Sequence, residues 1–138
     1  MILDHNKQIA RCYVEQVLGS RDLTELDNIV APEVILHGSS GKTFVGRDAL
    51  RQILAKNAGA IESTDLTIDC ELAEQDSVVT IYTSRGRHVA EYHGVAPSGR
   101  EIVVSAVNIF VIRDDWIREI RVVMDQMGLL RQLRQPAA

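Results

Sequence analysis

Cysteine is scarce: the 138 residues hold only Cys12 and Cys70, with no CxxC spacing between them. Two isolated thiols on apolar-patterned segments are expected as reduced core residues, not as a disulfide or a metal site. Basic clusters are scarce as well. Fifteen Lys and Arg stand against nineteen Asp and Glu, a net charge of −4. Arg85 and Arg87 form the only short basic cluster, so a nucleic-acid partner, which needs a basic face, is not expected. Long apolar runs are missing, and none approaches the length of a membrane span. The start, MILDHNKQIA, carries charge and an Asn early and lacks the apolar core of a signal peptide; a cytoplasmic protein is expected. Metal and nucleotide motifs (HExxH, GxGxxG, the P-loop) are absent, as are the GxSxG elbow and a plausible Cys–His pair. No cofactor is therefore expected.

Against these absences stands an ordinary globular composition, 46% hydrophobic and 25% charged. One domain over residues 1–138 fits that length and buries roughly two-thirds of its unfolded surface without metal or disulfide. From Asp4 to Leu18, Ile9, Tyr13 and Val17 recur at helical spacing, and Gly19 is placed to stop the helix. Asp22 with Glu25 reads as a capping-box variant opening a second short helix, which Pro32 is expected to end. A short strand, Val34 to His37, runs into Gly38-Ser39-Ser40-Gly41. A third helix is expected from Arg47 to Ala58, stopped by Gly59.

Beyond residue 62 the period changes to two. Leu66, Ile68, Cys70 and Leu72 alternate with polar residues, and Gln75-Asp76 turns into a strand from Ser77 to His88. A loop over 92–99 leads to a strand from Glu101 to Arg113 that is apolar on both faces and therefore central. Asp114-Asp115 turns into a last strand, Trp116 to Asp125, and Gly128 to Leu133 closes the chain as a helical turn. Short connections make the last four strands antiparallel neighbours. The expected fold is an α+β cone: three N-terminal helices packed in a curved, mainly antiparallel β-sheet, with a small-molecule pocket inside.

Several stretches resemble the SnoaL-like polyketide cyclases, within the wider group sharing the nuclear-transport-factor-2 fold. They are Tyr13-Val14-Glu15 through Arg21-Asp22-Leu23, Leu26, Ala31-Pro32-Glu33-Val34, Val45-Gly46-Arg47, and Gly86 with His88 ahead of Glu91. Gly94-Val95-Ala96-Pro97-Ser98-Gly99-Arg100 is similar to that family's G-[IV]-x-P-[TS]-G-[RK] loop. Asp125 to Leu133 is similar to its D-x-x-G-L-x-x-Q-L ending. The resemblance implies an intramolecular aldol-type ring closure with one aspartate as acid/base, and Asp125 occupies the matching position. The same fold also hosts isomerases, epoxide hydrolases and non-catalytic binders.

The residues themselves leave roles open. By strand parity Asp125 shares a face with Val123 and Arg121; if Val123 faces the cavity, so does Asp125. Desolvation there would raise its pKa into the range of a general base. Its competing role is N-cap of the closing helical turn. Arg121 stands where the family usually has an aromatic. It could clamp an oxyanion, or join Glu119 in a polar patch at a rim or subunit contact. His37 and His88 could shuttle protons near the mouth or be structural. Asn108, mid-way along the central strand, supports the core or reaches the cavity. It stands where the family often has an acid, so a second inward acid is expected to be missing unless Glu119 reaches in. Tyr13 is a core residue or a ligand donor from the cavity floor. A hydrophobic small-molecule ligand is the expected partner. A homodimer is also expected, through Val107, Ile109 and Val111 if Phe110 points inward.

Overall fold

The computed structural model describes residues 2–135, and Met1 and residues 136–138 lie outside them. Helix α1 spans Ile2–Cys12 and continues as a π-helical stretch, Tyr13–Gly19. Asp4 lies in the first turn, where its charge complements the helix dipole. One apolar stripe runs through both parts, with Ile9, Ala10, Tyr13, Val14 and Val17 all buried.

Asp22 caps the next turn, its carboxylate accepting the Thr24 N–H. That turn is only a 3-10 segment, Leu23–Glu25, followed by the single-turn α2, Leu26–Ile29. Strand β1 then begins at Val30 and runs to His37, four residues earlier than the pattern predicts. Pro32 therefore lies inside a strand and does not terminate a helix. The β1–β6 register is interrupted between Val30 and Ile35, so the proline sits where no regular ladder bond is required of it. Strand β2, Thr43–Val45, was not legible in the pattern. Helix α3 spans Arg47–Ala60. It runs through Gly59, which has open space around it, and passes straight into β3, Ile61–Glu74.

The remaining strands are β4 (Ser77–His88), β5 (Glu101–Arg113) and β6 (Trp116–Met124), with α4 (Gln126–Arg134) closing the chain. The sheet order is β2-β1-β6-β5-β4-β3. Every pairing is antiparallel except β1 with β6. Asp114 and Asp115 both take positive φ, 53° and 67°, as a two-residue turn matched to strand twist requires. The edge strand β3 carries two register shifts, between Ser63 and Asp65 and between Ile68 and Cys70. Such irregularities bend an edge and blunt it against pairing with other chains.

The even-numbered residues of β4 and β5 face the helices. Val78, Thr80, Tyr82, Gly86, His88, Ile102, Ala106, Asn108, Phe110 and Ile112 are all buried. From β6, Ile117 and Ile120 are fully buried, and Val122 and Met124 pack against the same core. Phe110 meets Tyr13 edge-on, ring centroids 5.3 Å apart, an arrangement worth about 1 kcal/mol beyond the area it buries. Phe110 thus points inward. Val107, Ile109 and Val111 lie half-buried on the outer face of the sheet, beside Val123, which is 51% exposed.

Candidate functional site

Midway along the central strands the apolar interior contains a group of neutral polar side chains. Tyr82 on β4 donates its hydroxyl hydrogen to Oδ1 of Asn108 on β5, at 3.3 Å. Thr80 is the ladder partner of Asn108, and Val122 is its partner on the other side. With Oδ1 accepting from Tyr82, the Asn108 amide keeps its two N–H donors. The Tyr13 hydroxyl also makes no hydrogen bond among the described residues. Burial, with the neighbouring Tyr82, pushes the Tyr13 phenol well above its ordinary value of 10. Burial alone does the same to Tyr82. Both therefore remain O–H donors at any physiological pH.

That burial has a consequence at high pH. The fold favours the un-ionised phenols, so their contribution is fully present below the unfolded-state value of 10 and is lost as pH rises beyond it. Absorbance at 295 nm followed upward from pH 10 is expected to show at most one of the three tyrosines ionising before the far-UV circular dichroism collapses. A second phenolate signal with the secondary structure intact would contradict the burial of Tyr13 and Tyr82.

Around this group the inward surface is not uniformly sealed. Val104, Val122 and Met124 face inward and are only half-buried, as are Phe44, Ile53 and Leu54. Two shallow hollows open on the surface. One is lined by Gly19, Ser20, Ser63 and Leu66, the other by Gln8, Arg11, Cys12 and Gln16. Neither includes Tyr13, Asn108, His88 or Asp125.

An inward acid does exist. Glu71 is the ladder partner of Thr80 and shares its face. Its side chain is 7% exposed, and Oε1 accepts from Arg11 at 2.8 Å. Oε2 and the Thr80 hydroxyl have no hydrogen-bond partner among the described residues. The shift in β3 register between Ile68 and Cys70 turns Glu71 inward, where unbroken alternation from Leu66 would place it outward.

The other sequence-marked residues do not converge on the Tyr13–Tyr82–Asn108 group. Val123 faces outward, so the condition that would put Asp125 in the cavity by strand parity is not met. Strand β6 ends at Met124, and Asp125 turns to cap α4, its Oδ1 accepting the Gly128 N–H at 2.9 Å. Asp125 is exposed. Arg121 is exposed on the outer face, where it is the ladder partner of Ile109 and His37. The inward positions of β6 belong to Ile120, Val122 and Met124, which leaves no inward place for it. His37 is a rim residue of that outer face, with Nε2 2.6 Å from Glu119 Oε1. His88 is inward and completely buried, but six residues along β4 separate it from Tyr82, roughly 20 Å.

Cys12 and Cys70 are half-buried and unpaired, less enclosed than core residues. Burial and the adjacent Glu25 push the Cys12 thiol up, away from thiolate chemistry. Among the described residues no three His, Cys, Asp or Glu gather closely enough to hold a metal ion. No helix among them is long and apolar enough to cross a membrane.

Thr80 and Tyr82 were missed by sequence reasoning, although their alternation with Val78 marks the inward row of β4. Arg21 was missed as a site residue and has no such signal. Its Nη2 donates to the Ile61 carbonyl at 3.0 Å, across forty residues of sequence.

Helices laid against the concave side of a curved, mostly antiparallel sheet define an α+β cone of the nuclear-transport-factor-2 type. Solved structures share it throughout. TsrD from Streptomyces laurentii superposes with a TM-score of 0.82 at 27% identity, over 95% of this chain and 96% of that one. A SnoaL-like polyketide cyclase candidate from Jannaschia sp. CCS1 superposes with a TM-score of 0.91 at 19% identity, over 98% and 95% of the two chains. IdmH, a polyketide cyclase candidate from Streptomyces antibioticus, gives 0.73 at 24% identity over 87% and 92%. The model of the SnoaL-like polyketide cyclase family matches residues 7–133, and the chain belongs to that family. A search of curated proteins gives no match.

Proposed function

We propose that this protein binds a small, largely apolar molecule bearing carbonyl groups and promotes cofactor-independent ring closure or isomerisation by moving a proton at an activated carbon. One observation carries the reading: the Tyr13 hydroxyl and the Asn108 amide are donors without protein acceptors, set beside Tyr82 and the buried Thr80 hydroxyl in a largely apolar interior. Donors fixed in a dry environment stabilise the oxyanion that develops when a carbonyl compound enolises. A C–H flanked by two carbonyls is acidic enough for a single carboxylate to remove its proton. Asp125 is the candidate acid/base by its place in the family's closing motif. Its cap bond occupies one lone pair of Oδ1 and leaves Oδ2 free.

The test is exchange of the activated methylene of a β-keto ester with solvent deuterium, followed by NMR. The wild type is expected to accelerate exchange above the buffer rate. Tyr13→Phe, which keeps the packing on Phe110, should lower the acceleration by roughly tenfold or more, the cost of one oxyanion donor. No acceleration, with no chemical-shift change at Tyr13, Tyr82 or Asn108, would remove this function. A second reading, a binding module without catalysis, is favoured by the exposure of Asp125 and its cap bond. It requires interior shift changes on binding without exchange.

A further inference from the structure

A second polar locus lies further along the inward face, near the end of β4, and consists of donors without acceptors. His88 is completely buried. Its Nδ1 accepts the Ser98 backbone N–H at 3.3 Å and lies 3.3 Å from the Ser98 hydroxyl, whose oxygen accepts from the Arg100 N–H. A backbone N–H can only donate, so Nδ1 is the acceptor and the ring proton sits on Nε2. That Nε2 has no partner among the described residues, and neither does the buried Nε of Arg21.

The two donors border the same residue. Arg21 is anchored through Nη2 to the Ile61 carbonyl. His88 is the ladder partner of Ile61, which puts their Cα atoms about 5 Å apart. Ile61, Tyr92, Val104 and Met124 pack around Ile102 and supply an apolar wall.

Arg21 is positioned by the turn that ends the first helix. Its φ is +61°, the left-handed turn that closes the π-helix, bracketed by the Ser20 N–H on the Glu15 carbonyl and the Asp22 N–H on the Gln16 carbonyl. Burial pulls its pKa down, opposed by the nearby Tyr92 phenol. It forms no ion pair with a carboxylate among the described residues. A half-buried cation without a counter-ion and a buried N–H without an acceptor, both bordering Ile61, are an arrangement that an anionic oxygen would complete. An anchor tying the π-helix to β3 would need only the Nη2 bond; it leaves the two idle donors unexplained.

We infer that Arg21 and His88 form an anion-recognition pair that takes a carboxylate oxygen of a small apolar ligand lying along Ile61, Val104 and Met124. The inference rests on the proposed reading that the cone interior receives such a ligand. It adds that the ligand carries its negative oxygen at this end.

Benzoate and its neutral isostere benzamide, titrated into the intact protein and followed by 15N–1H NMR, test it. Wild type is expected to bind benzoate at least tenfold more tightly than benzamide, the worth of a charge-assisted contact, with the His88 Nε2–H resonance shifting on benzoate addition. Arg21→Gln should lose about that factor for benzoate and leave benzamide unchanged. Arg21→Gly should do the same, and since glycine suits a positive φ, its loss cannot be ascribed to a backbone that no longer fits. His88→Gln, which keeps a donor where Nε2 lies, should retain the preference. Equal binding of the two probes by wild type, or unchanged benzoate affinity in Arg21→Gln, would overturn the pair and leave the interior reading standing. Failure of both probes to bind wild type would overturn both.

Discussion

Gly86→Ala is expected to destabilise the protein by about 2–3 kcal/mol, the cost of overpacking a closed site, and to lower its Tm by roughly 10 °C. A Cβ at residue 86 would lie 2.6 Å from Cγ2 of Ile61 and 2.8 Å from the Glu62 carbonyl oxygen. The second contact is with backbone, so no rotamer change relieves it, and the start of β3 must move off β4. The same shift would carry Ile61 away from His88 and Arg21, so loss of stability and loss of the end wall of the cone should appear together. Gly59→Ala provides the opposite sign. It lies within α3 with nothing within 4 Å of an added Cβ, and should gain about 0.5–1 kcal/mol from helix propensity and a less flexible unfolded chain. Chemical denaturation of the two variants side by side measures both. Equal and small effects would mean that β3 is not pressed against Gly86.

What separates these glycines is invisible to a pattern of residue types, and the same holds for much of the site. Alternation over 66–72 and continuous apolarity over 101–113, joined by short turns, made the paired strands legible, because a half-buried strand repeats every second residue and a central one is apolar on both faces. Which face of the central strand points inward stayed open in the sequence, and the packing of Phe110 on Tyr13 decides it. Asn108 was legible as interior from its place in that apolar strand, and Tyr13 from the helical spacing of Ile9, Tyr13 and Val17. Pro32 misled because its effect on a helix is local, whereas the irregular β1–β6 pairing that accommodates it joins segments more than eighty residues apart. Glu71 was read outward because alternation was carried through a bulge that only the β3–β4 pairing reveals. The Arg21–Ile61 and His37–Glu119 contacts span 40 and 82 residues. Nothing in the local sequence at either end announces them. At Asp125 two local rules competed, strand parity and helix capping. Capping prevailed because the strand ends one residue earlier, and the first free N–H groups of α4 need an acceptor.

That competition makes Asp125→Asn the substitution with the largest expected effect on function. Asparagine caps a helix about as well as aspartate, so its amide oxygen can still accept the Gly128 N–H that Asp125 takes at 2.9 Å. The fold should stay within about 1 kcal/mol of wild type, the difference being the lost charge at the positive end of α4. An amide cannot accept a proton from carbon, however. If Asp125 is the acid/base of the proposed reaction, deuterium exchange of the β-keto ester should fall by about 10²–10⁴-fold, the usual worth of a positioned general base. Asp125→Ala separates the two roles from the other side. It removes cap and carboxylate together, and should cost about 1 kcal/mol of stability in addition to the same loss of exchange. Wild-type exchange rates in Asp125→Asn, with only the alanine variant destabilised, would reduce Asp125 to a helix cap. Proton transfer would then have to come from another group, with Glu71 the acid already turned inward, or the protein would be a binder that performs none.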